Sequence, residues 1–269
     1  MSIIINPISP VAFSFFGVDV RWYALAYIAA FIIGYWLFKK IINRPDSVLK
    51  ITPKQLDDLL TMVVFGVIIG GRLGYVLFYN PIYFFTHPLE ILALWHGGMS
   101  FHGGLIGAII ATFWFGRKNQ INSWRILDLM AVVAPIGLFF GRIANFINME
   151  LMGHPTNVPW AVEFVDKSGN VLVPASHPSP IYEACSEGII LFALMYCLYW
   201  YTNLNKKPGA LAGIMGMGYA VARIVCEVFR MPDVQVGFLG GNWLTMGMTL
   251  SFVMFFCGFA IFMFAIRKK

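Results

Sequence analysis

The sequence alternates apolar stretches of about twenty residues with short polar connections along its whole length. In the hydrocarbon layer of a membrane, a helix of ~20 mainly apolar residues can satisfy all of its own backbone hydrogen bonds. Hydrophobic residues make up 59% of the chain and charged residues only 12%, which lies outside the range of soluble domains. We therefore predict an all-α integral membrane protein, a single polytopic domain over residues 1–269, with about seven transmembrane helices near residues 20–38, 57–78, 94–115, 126–146, 181–202, 209–230 and 242–266.

Basic residues are concentrated in alternate connections of this pattern. Lysines and arginines follow the first, third, fifth and seventh apolar stretches, whereas the other connections contain Lys167 and little else that is basic. Because cytoplasmic loops carry an excess of lysine and arginine, the pattern predicts an external amino terminus and a cytoplasmic carboxyl terminus. Membrane orientation thus explains the net charge of +6, which does not indicate binding of nucleic acid.

The four cysteines, Cys185, Cys197, Cys226 and Cys257, all lie inside apolar stretches and form no C-x-x-C motif. Neither a zinc site nor a disulfide framework is therefore predicted. We interpret all four as small core residues, and the chain offers no cysteine suited to be a nucleophile.

One connection, at residues 148–180, is longer than the others and contains five prolines. Within it, residues 160–165 and 171–173 are mainly apolar and flank the turn-forming sequence DKSGN at 166–170. This composition is typical of two short strands joined by a turn. We predict a small cap outside the membrane that includes these strands.

Several arginines lie in, or at the outer end of, predicted spans, where a charge at mid-bilayer costs ~2.5–3.5 kcal/mol. Compensating partners are therefore expected. Glu227 can pair with Arg223 one helical turn before it and with Arg230 three residues after it. Arg142 has no acidic residue three or four positions away, so phosphate, which a planar guanidinium binds in a bidentate way, is favoured as its partner. The arginines in question are Arg21, Arg72, Arg142, Arg223 and Arg230.

The sequence HGGMSFHGG, at residues 96–104, lies at the outer end of the third predicted span. Its four glycines allow the backbone to approach a partner or a lipid headgroup closely. His102 could act as a general base near neutral pH, and Ser100 could donate a hydrogen bond to a headgroup. A histidine that is merely hydrogen-bonded between helices remains the alternative. The six-residue spacing of His96 and His102 does not fit a metal site.

Two further motifs, GRIANFINMELMG at 141–153 and YAVARIVCEVFRMPD at 219–233, close the fourth and sixth predicted spans at the same membrane face. Arg142 and Asn145 share one side of a helix there and could hold a phosphate or glycerol headgroup. Helix capping by asparagine and glycine explains part of the first motif. Tyr23 begins the first span on this side, where an aromatic belt is the alternative interpretation.

The sequences HGGMSFHGG and GRIANFINMELMG closely resemble those of the prolipoprotein diacylglyceryl transferase family, and the resemblance covers nearly the whole chain. It implies a multi-pass enzyme of the bacterial inner membrane with its site toward the periplasm and without a cofactor. The donor would be phosphatidylglycerol, and the acceptor would be the lipobox cysteine in the signal peptide of a prolipoprotein. The products would be a thioether-linked diacylglyceryl lipoprotein and glycerol 1-phosphate.

The same resemblance implies roles for individual residues. Arg142 and Arg223 would bind and polarise the phosphate, and His102 and Tyr23 would lie at the reacting centre. Supporting positions in the binding of phosphatidylglycerol would be Ser100, Asn145, Glu150, Gly153, Glu227 and Arg230.

From the residues alone, a transporter of lipids or other anionic substrates is the main alternative, because intramembrane arginines also mark transport pathways. A transporter would favour charges near the midplane and two related halves, and the sequence shows neither. A metal-dependent phosphatidyl transferase would need clustered aspartates. The pair Asp57 and Asp58 is better explained as negative charge at a helix amino terminus.

Overall fold

A computed structural model describes residues 2–78, 81–94, 97–232, 237–241 and 243–267. His96 and Asp233, which belong to two of the motifs, and Lys268 and Lys269 of the basic carboxyl terminus lie outside these ranges. The described chain divides into unit 1, Met1–Phe38 with Asp128–Lys269, and unit 2, Lys39–Leu127.

Helices account for most of the described residues. A π-helical turn, Ala184–Ile190, joins two of them into the continuous helix Ser179–Tyr201. The α-helices are Trp22–Ile42 (α1), Pro53–Phe78 (α2), Pro81–Thr86 (α3), Phe101–Lys118 (α4), Ser123–Ile147 (α5), Ser179–Glu183 (α6), Leu191–Tyr201 (α7), Ala210–Glu227 (α8) and Met246–Arg267 (α9).

Six helices within the described ranges are long and apolar enough to cross a membrane: α1, α2, α5, the continuous helix Ser179–Tyr201, α8 and α9. They confirm the prediction of a helical integral membrane protein. Each corresponds to one of the predicted spans, and the ends differ by a few residues.

The third predicted span, 94–115, was placed wrongly at its amino-terminal end, because α4 begins only at Phe101. Gly97 and Gly98 adopt φ angles of 78° and 83°, which are incompatible with a right-handed helix. Ser100 then caps α4, since its Oγ accepts a hydrogen bond from the Gly103 amide at 3.3 Å. With 18 residues, two of them the basic pair at its end, α4 is not among the six helices that are long and apolar enough to cross a membrane.

In unit 2, α2 and α4 pack directly backbone against backbone. A Cβ atom at the glycines of this contact would lie 2.0–2.6 Å from a carbonyl oxygen of the facing helix. Small residues permit such close approach and the packing that holds membrane helices together. The glycines are Gly66 and Gly70 on α2 and Gly103 and Gly107 on α4.

Arg72 on α2 is only 5% exposed and is compensated by the backbone of the segment before α4. Its guanidinium also lies 5.8 and 5.2 Å from the ring centres of Tyr75 and Phe84. The negative, oxygen ends of backbone carbonyl dipoles replace the water that a buried arginine loses. The accepting carbonyls are those of Glu90 at 2.6 Å, Ile91 at 2.9 Å, Ala93 and Gly98 at 3.1 Å, and Gly97.

In unit 1, α8 and α9 meet at Gly213 and Gly258, where a Cβ on either would lie 2.7 Å from the other's carbonyl oxygen. The amino-terminal end of α8 is held by Asp128, whose carboxylate accepts from the Gly209 and Ala212 amides at 2.7 and 2.8 Å. A carboxylate at this position satisfies the unpaired amides and complements the helix dipole.

The predicted strands of the 148–180 segment are present, as β4 (Val162–Val165) and β5 (Val171–Ser176), which pair antiparallel across the expected turn. Hydrogen bonds from the Asn170 side chain and from nearby amides hold the pKa of Asp166 in that turn below its usual range. A strand that was not predicted, β1 (Ile3–Ile5), extends this sheet by pairing parallel to β4.

Two more short strand pairs were also not predicted. They are the antiparallel pairs β2 (Val11–Phe15) with β3 (Val18–Arg21), and β6 (Phe238–Gly240) with β7 (Leu244–Thr245).

The prediction that all four cysteines are core residues was wrong for three of them. Cys226 is buried, but Cys185, Cys197 and Cys257 are exposed on their helices, and all four are free thiols. An apolar position on a spanning helix can face lipid as well as protein, so apolar surroundings in sequence do not by themselves indicate a core.

Candidate functional site

A cluster of three arginines and three glutamates lies in unit 1. Arg142 comes from α5, two of the glutamates come from α6 and the π-helical turn after it, and the others come from α8 and the residues that follow. Arg142 is partly buried and the other five are buried. The members of this charge cluster are Arg142, Glu183, Glu187, Arg223, Glu227 and Arg230.

Glu183 is at the centre of the charge cluster because it contacts all three arginines. Its Oε2 lies 3.0 Å from Nη1 of Arg142, and its Oε1 lies 3.4 Å from Nη1 of Arg230. Oε1 also accepts a short hydrogen bond from Nη1 of Arg223. One buried carboxylate therefore holds guanidinium groups from two helices and a loop in fixed positions.

The remaining contacts complete two pairs. Glu187 Oε2 accepts from both Nε and Nη2 of Arg142, at 3.0 and 2.9 Å. Glu227 Oε2 lies 2.6 Å from Nη2 of Arg223, and Thr245 donates to Glu227 Oε1 at 2.8 Å. Such hydrogen-bonded pairing is what makes buried charge tolerable in a membrane protein.

The predicted pairing of Arg223 with Glu227 is confirmed. Arg142 has no acidic residue three or four positions along its own helix, but it does have acidic partners elsewhere. Its partners, Glu183 and Glu187, belong to another helix, which a search three or four positions along the same helix does not reach. Two glutamates four residues apart in an otherwise apolar stretch were the available signal, because an ionisable residue in a span usually marks a functional site.

Arg230, which the sequence offered as a second partner for Glu227, contacts Glu183. Arg230 follows the end of α8 at Glu227, and its amide still donates to the Glu227 carbonyl at 3.3 Å. Its side chain reaches another helix, where Nη1 lies 3.4 Å from Oε1 of Glu183.

The charge cluster is layered by burial. The arginine side chains of Arg142 and Arg223 are 15% and 10% exposed, whereas those of Glu183 and Glu187 are 0% exposed. The carboxylates therefore lie behind the guanidinium groups, and the more accessible layer is cationic. Although its formal charges cancel, the charge cluster presents its positive side and is suited to bind an anion.

A second polar group joins the start of α1 to the end of α5. Asn145 Nδ2 donates to Tyr23 Oη at 3.0 Å and to Glu150 Oε2 at 3.1 Å. Asn145 is one helical turn from Arg142, and Glu150 follows Met149, whose φ is 58°. This strained backbone ends the helix and turns Glu150 back toward Asn145, so three predicted site residues meet through side-chain hydrogen bonds.

Gly153 holds the chain close to Arg230, with which it forms an antiparallel bridge. The Gly153 amide donates to the His177 carbonyl at 2.9 Å, and a Cβ at Gly153 would lie 2.2 Å from the Phe229 carbonyl oxygen. Only glycine permits this approach of two backbones. The structure thus gives Gly153 a role in positioning the segment that carries Arg230.

The two remaining predicted site residues, Ser100 and His102, lie in unit 2. Ser100 is buried as the cap of α4, and its amide donates to the Gly71 carbonyl at 2.9 Å. His102 is the second residue of α4, is partly buried, and packs edge to face against Phe101 with ring centres 5.4 Å apart. Convergence of all three motifs on one membrane face stays a prediction.

No group of three or more His, Cys, Asp or Glu side chains placed to hold a metal ion occurs in the part of the chain that the structure describes. The charge cluster offers guanidinium groups as its accessible donors.

Comparison with known proteins gives consistent matches along the chain. A family model described as prolipoprotein diacylglyceryl transferase matches residues 10–264. A phosphatidylglycerol–prolipoprotein diacylglyceryl transferase from Rhodospirillum rubrum is 47% identical over 263 residues, which cover 97% of this chain and 94% of that protein. Proteins of the same name from Allorhizobium ampelinum and Nitratidesulfovibrio vulgaris are 47% and 44% identical over 93% of this chain, covering 88% and 91% of their own lengths.

Proposed function

The chain belongs to the prolipoprotein diacylglyceryl transferase family, and from this premise we propose how its residues transfer a diacylglyceryl group from phosphatidylglycerol to a prolipoprotein. The acceptor is the thiol of the lipobox cysteine in the signal peptide, and glycerol 1-phosphate is released. The observation that carries this proposal is the layered charge cluster, in which Arg142 and Arg223 are less buried than Glu183 and so suit the phosphate of the donor lipid.

Arg142 and Arg223 are the proposed phosphate ligands. Both guanidinium groups are fixed from behind by buried carboxylates, so little side-chain entropy is lost when an anion binds in front of them. A phosphodiester can accept charge-assisted hydrogen bonds from each. Glu227 and Arg230 support this arrangement through Arg223 and Glu183.

The reaction breaks one carbon–oxygen bond and forms one carbon–sulfur bond. The thiol sulfur attacks the terminal glyceryl carbon of the diacylglyceryl group while the bond from that carbon to the phosphate oxygen breaks. The oxygen leaves with glycerol 1-phosphate, and the thiol proton passes to a base. Negative charge grows on the departing phosphate, and guanidinium groups held in a water-poor site stabilise it more strongly in the transition state than in the ground state.

Tyr23 is the proposed hydrogen-bond donor at the reacting centre. Its Oη accepts from Asn145, which leaves the phenolic hydrogen to donate to substrate. Asn145 is itself fixed by Glu150, and Gly153 sets the path of the chain that follows. These residues therefore support binding of the headgroup, and Ser100 supports the start of the helix that carries His102.

His102 is the proposed general base for the thiol, on the basis of its residue type and its motif. A His102→Gln enzyme is expected to turn over ~10²–10⁴-fold more slowly, because glutamine keeps a hydrogen-bonding side chain but cannot take up the proton. Transfer to a lipobox peptide would be followed by mass spectrometry, with the exposed His87→Gln as a matched control. Undiminished turnover of His102→Gln would remove His102 from this role.

The proposed location is the bacterial inner membrane, with the amino terminus and the cap in the periplasm and the carboxyl terminus in the cytoplasm. Alternation of basic connections supports this orientation. In intact cells carrying a variant with the four native cysteines replaced by serine, a membrane-impermeant maleimide is expected to label Lys167→Cys in the cap, but to label Lys206→Cys only after permeabilisation. Labelling of Lys206→Cys, but not of Lys167→Cys, in intact cells would contradict the proposed orientation.

The direct test of function is an assay of the purified protein in detergent with phosphatidylglycerol and a lipobox peptide. Diacylglyceryl added to the peptide cysteine, together with release of glycerol 1-phosphate, is the expected result. Binding of the lipid headgroup without any product would instead favour a lipid transporter.

A further inference from the structure

Glu183 and Glu187 lie outside every motif that the sequence suggested, and the reaction proposed above uses neither directly. Both side chains are 0% exposed, and they lie one turn apart where α6 passes into the π-helical turn. Together they contact both proposed phosphate ligands. Glu183 contacts Arg142 and Arg223, and Glu187 accepts two hydrogen bonds from Arg142.

One carboxylate oxygen of Glu187, Oε1, has unused hydrogen-bonding capacity. No hydrogen-bond donor among the described residues reaches its Oε1, and Nη1 of Arg223 lies 4.0 Å from this oxygen. A buried carboxylate oxygen so placed keeps its negative potential directed at both arginines. Any anion that binds these arginines must therefore do so against the field of Glu187.

The charge balance of the cluster shows how repulsion between Glu187 and a bound anion affects substrate and product differently. The described charge cluster has three arginines and three glutamates, so the entering phosphodiester adds one negative charge to a neutral group. The departing glycerol 1-phosphate can carry a second negative charge, because its phosphate is a monoester. Arginines without counter-ions would hold this product more tightly than the substrate and would slow its release.

We propose that Glu183 and Glu187 are positioning residues that hold Arg142 and Arg223 in place. Their negative charge also weakens the binding of phosphate to these arginines, so that the product can leave. The inference rests on the proposed function and deepens it. It assigns the two glutamates to the balance between binding phosphatidylglycerol and releasing glycerol 1-phosphate.

Glu187→Gln is the most informative variant, because it removes the charge and keeps the size and one acceptor oxygen. We expect the inhibition constant of glycerol 1-phosphate and the KM for phosphatidylglycerol each to fall roughly tenfold. The kcat should fall as well, with the first turnover preserved as a burst before slow product release. A variant that was merely damaged would show a higher KM and weaker binding of the product.

Glu187→Asp separates charge from packing. It keeps the negative charge and shortens the side chain, so binding of glycerol 1-phosphate should resemble that of the unaltered enzyme. Glu163→Gln in the cap is the matched control and should leave both constants unchanged. If Glu187→Gln does not fold, Glu183→Gln is expected to tighten product binding in the same direction.

Direct binding of glycerol 1-phosphate, measured by calorimetry, keeps this inference separate from the proposed function. Unchanged or weaker binding by folded Glu187→Gln would overturn the inference, even if the unaltered enzyme forms product normally. Absence of product from the unaltered enzyme would overturn the proposed function instead.

Discussion

Replacing Arg142 by alanine is expected to lower the rate of diacylglyceryl transfer about a thousandfold. Loss of a preorganised hydrogen-bond donor that stabilises a developing anion commonly has an effect of this size. The guanidinium is already oriented by Glu183 and Glu187, so the enzyme loses a donor that needs no rearrangement during the reaction. The measurement is the initial rate of lipid addition to a lipobox peptide, read by mass spectrometry. Arg117→Ala, at the exposed end of α4, is the matched control.

Arg142→Lys should recover only part of this loss. Lysine restores the charge, but its ammonium cannot reproduce the planar, bidentate geometry. If Arg142→Ala transfers lipid at the normal rate while remaining folded, the phosphate does not bind at this arginine, and the proposed site is wrong.

The second large effect is expected on stability, from Gly107→Val on α4. A Cβ at this position would lie 2.0 Å from the carbonyl oxygen of Gly66 on α2, and neither backbone can give way without separating the helices. We expect the free energy of unfolding to fall by about 3 kcal/mol, at the upper end of overpacking costs. Thermal unfolding in detergent would measure it.

Gly137→Val on α5 is the control for this experiment, because a Cβ there meets no described atom within 4 Å. Both variants add the same apolar surface, so a difference between them reports the steric contact. Equal melting temperatures for the two variants would contradict direct packing of α2 on α4.

Much of the fold follows from the sequence because one physical demand, an apolar length near that of the membrane, dominates each helix. The start of α4 was missed because apolar residues before Gly97 continue the hydropathy pattern, whereas the positive φ angles of Gly97 and Gly98 break the helix. Strand β1 was missed for a different reason: its partner β4 is more than 150 residues away, and three residues carry no periodicity.

For the candidate site, the motifs supplied the residues but not their partners. Arg223 and Glu227 could be paired from sequence because both lie on α8. The contacts of Glu183 with three arginines could not, since they depend on which helices are neighbours and on their rotation. The hydrogen bond of Asn145 to Tyr23 likewise joins two residues that are 122 positions apart in the chain.

The setting of Arg72 has a consequence for the conditions under which the enzyme can work. The hydrogen bonds that this arginine donates to residues 90–98 end on main-chain carbonyl oxygens, which neither gain nor lose protons. Guanidinium groups in proteins do not lose their proton. The anchoring of the segment that leads into His102 is therefore indifferent to acid stress from the surroundings, in contrast to an anchor built on carboxylates.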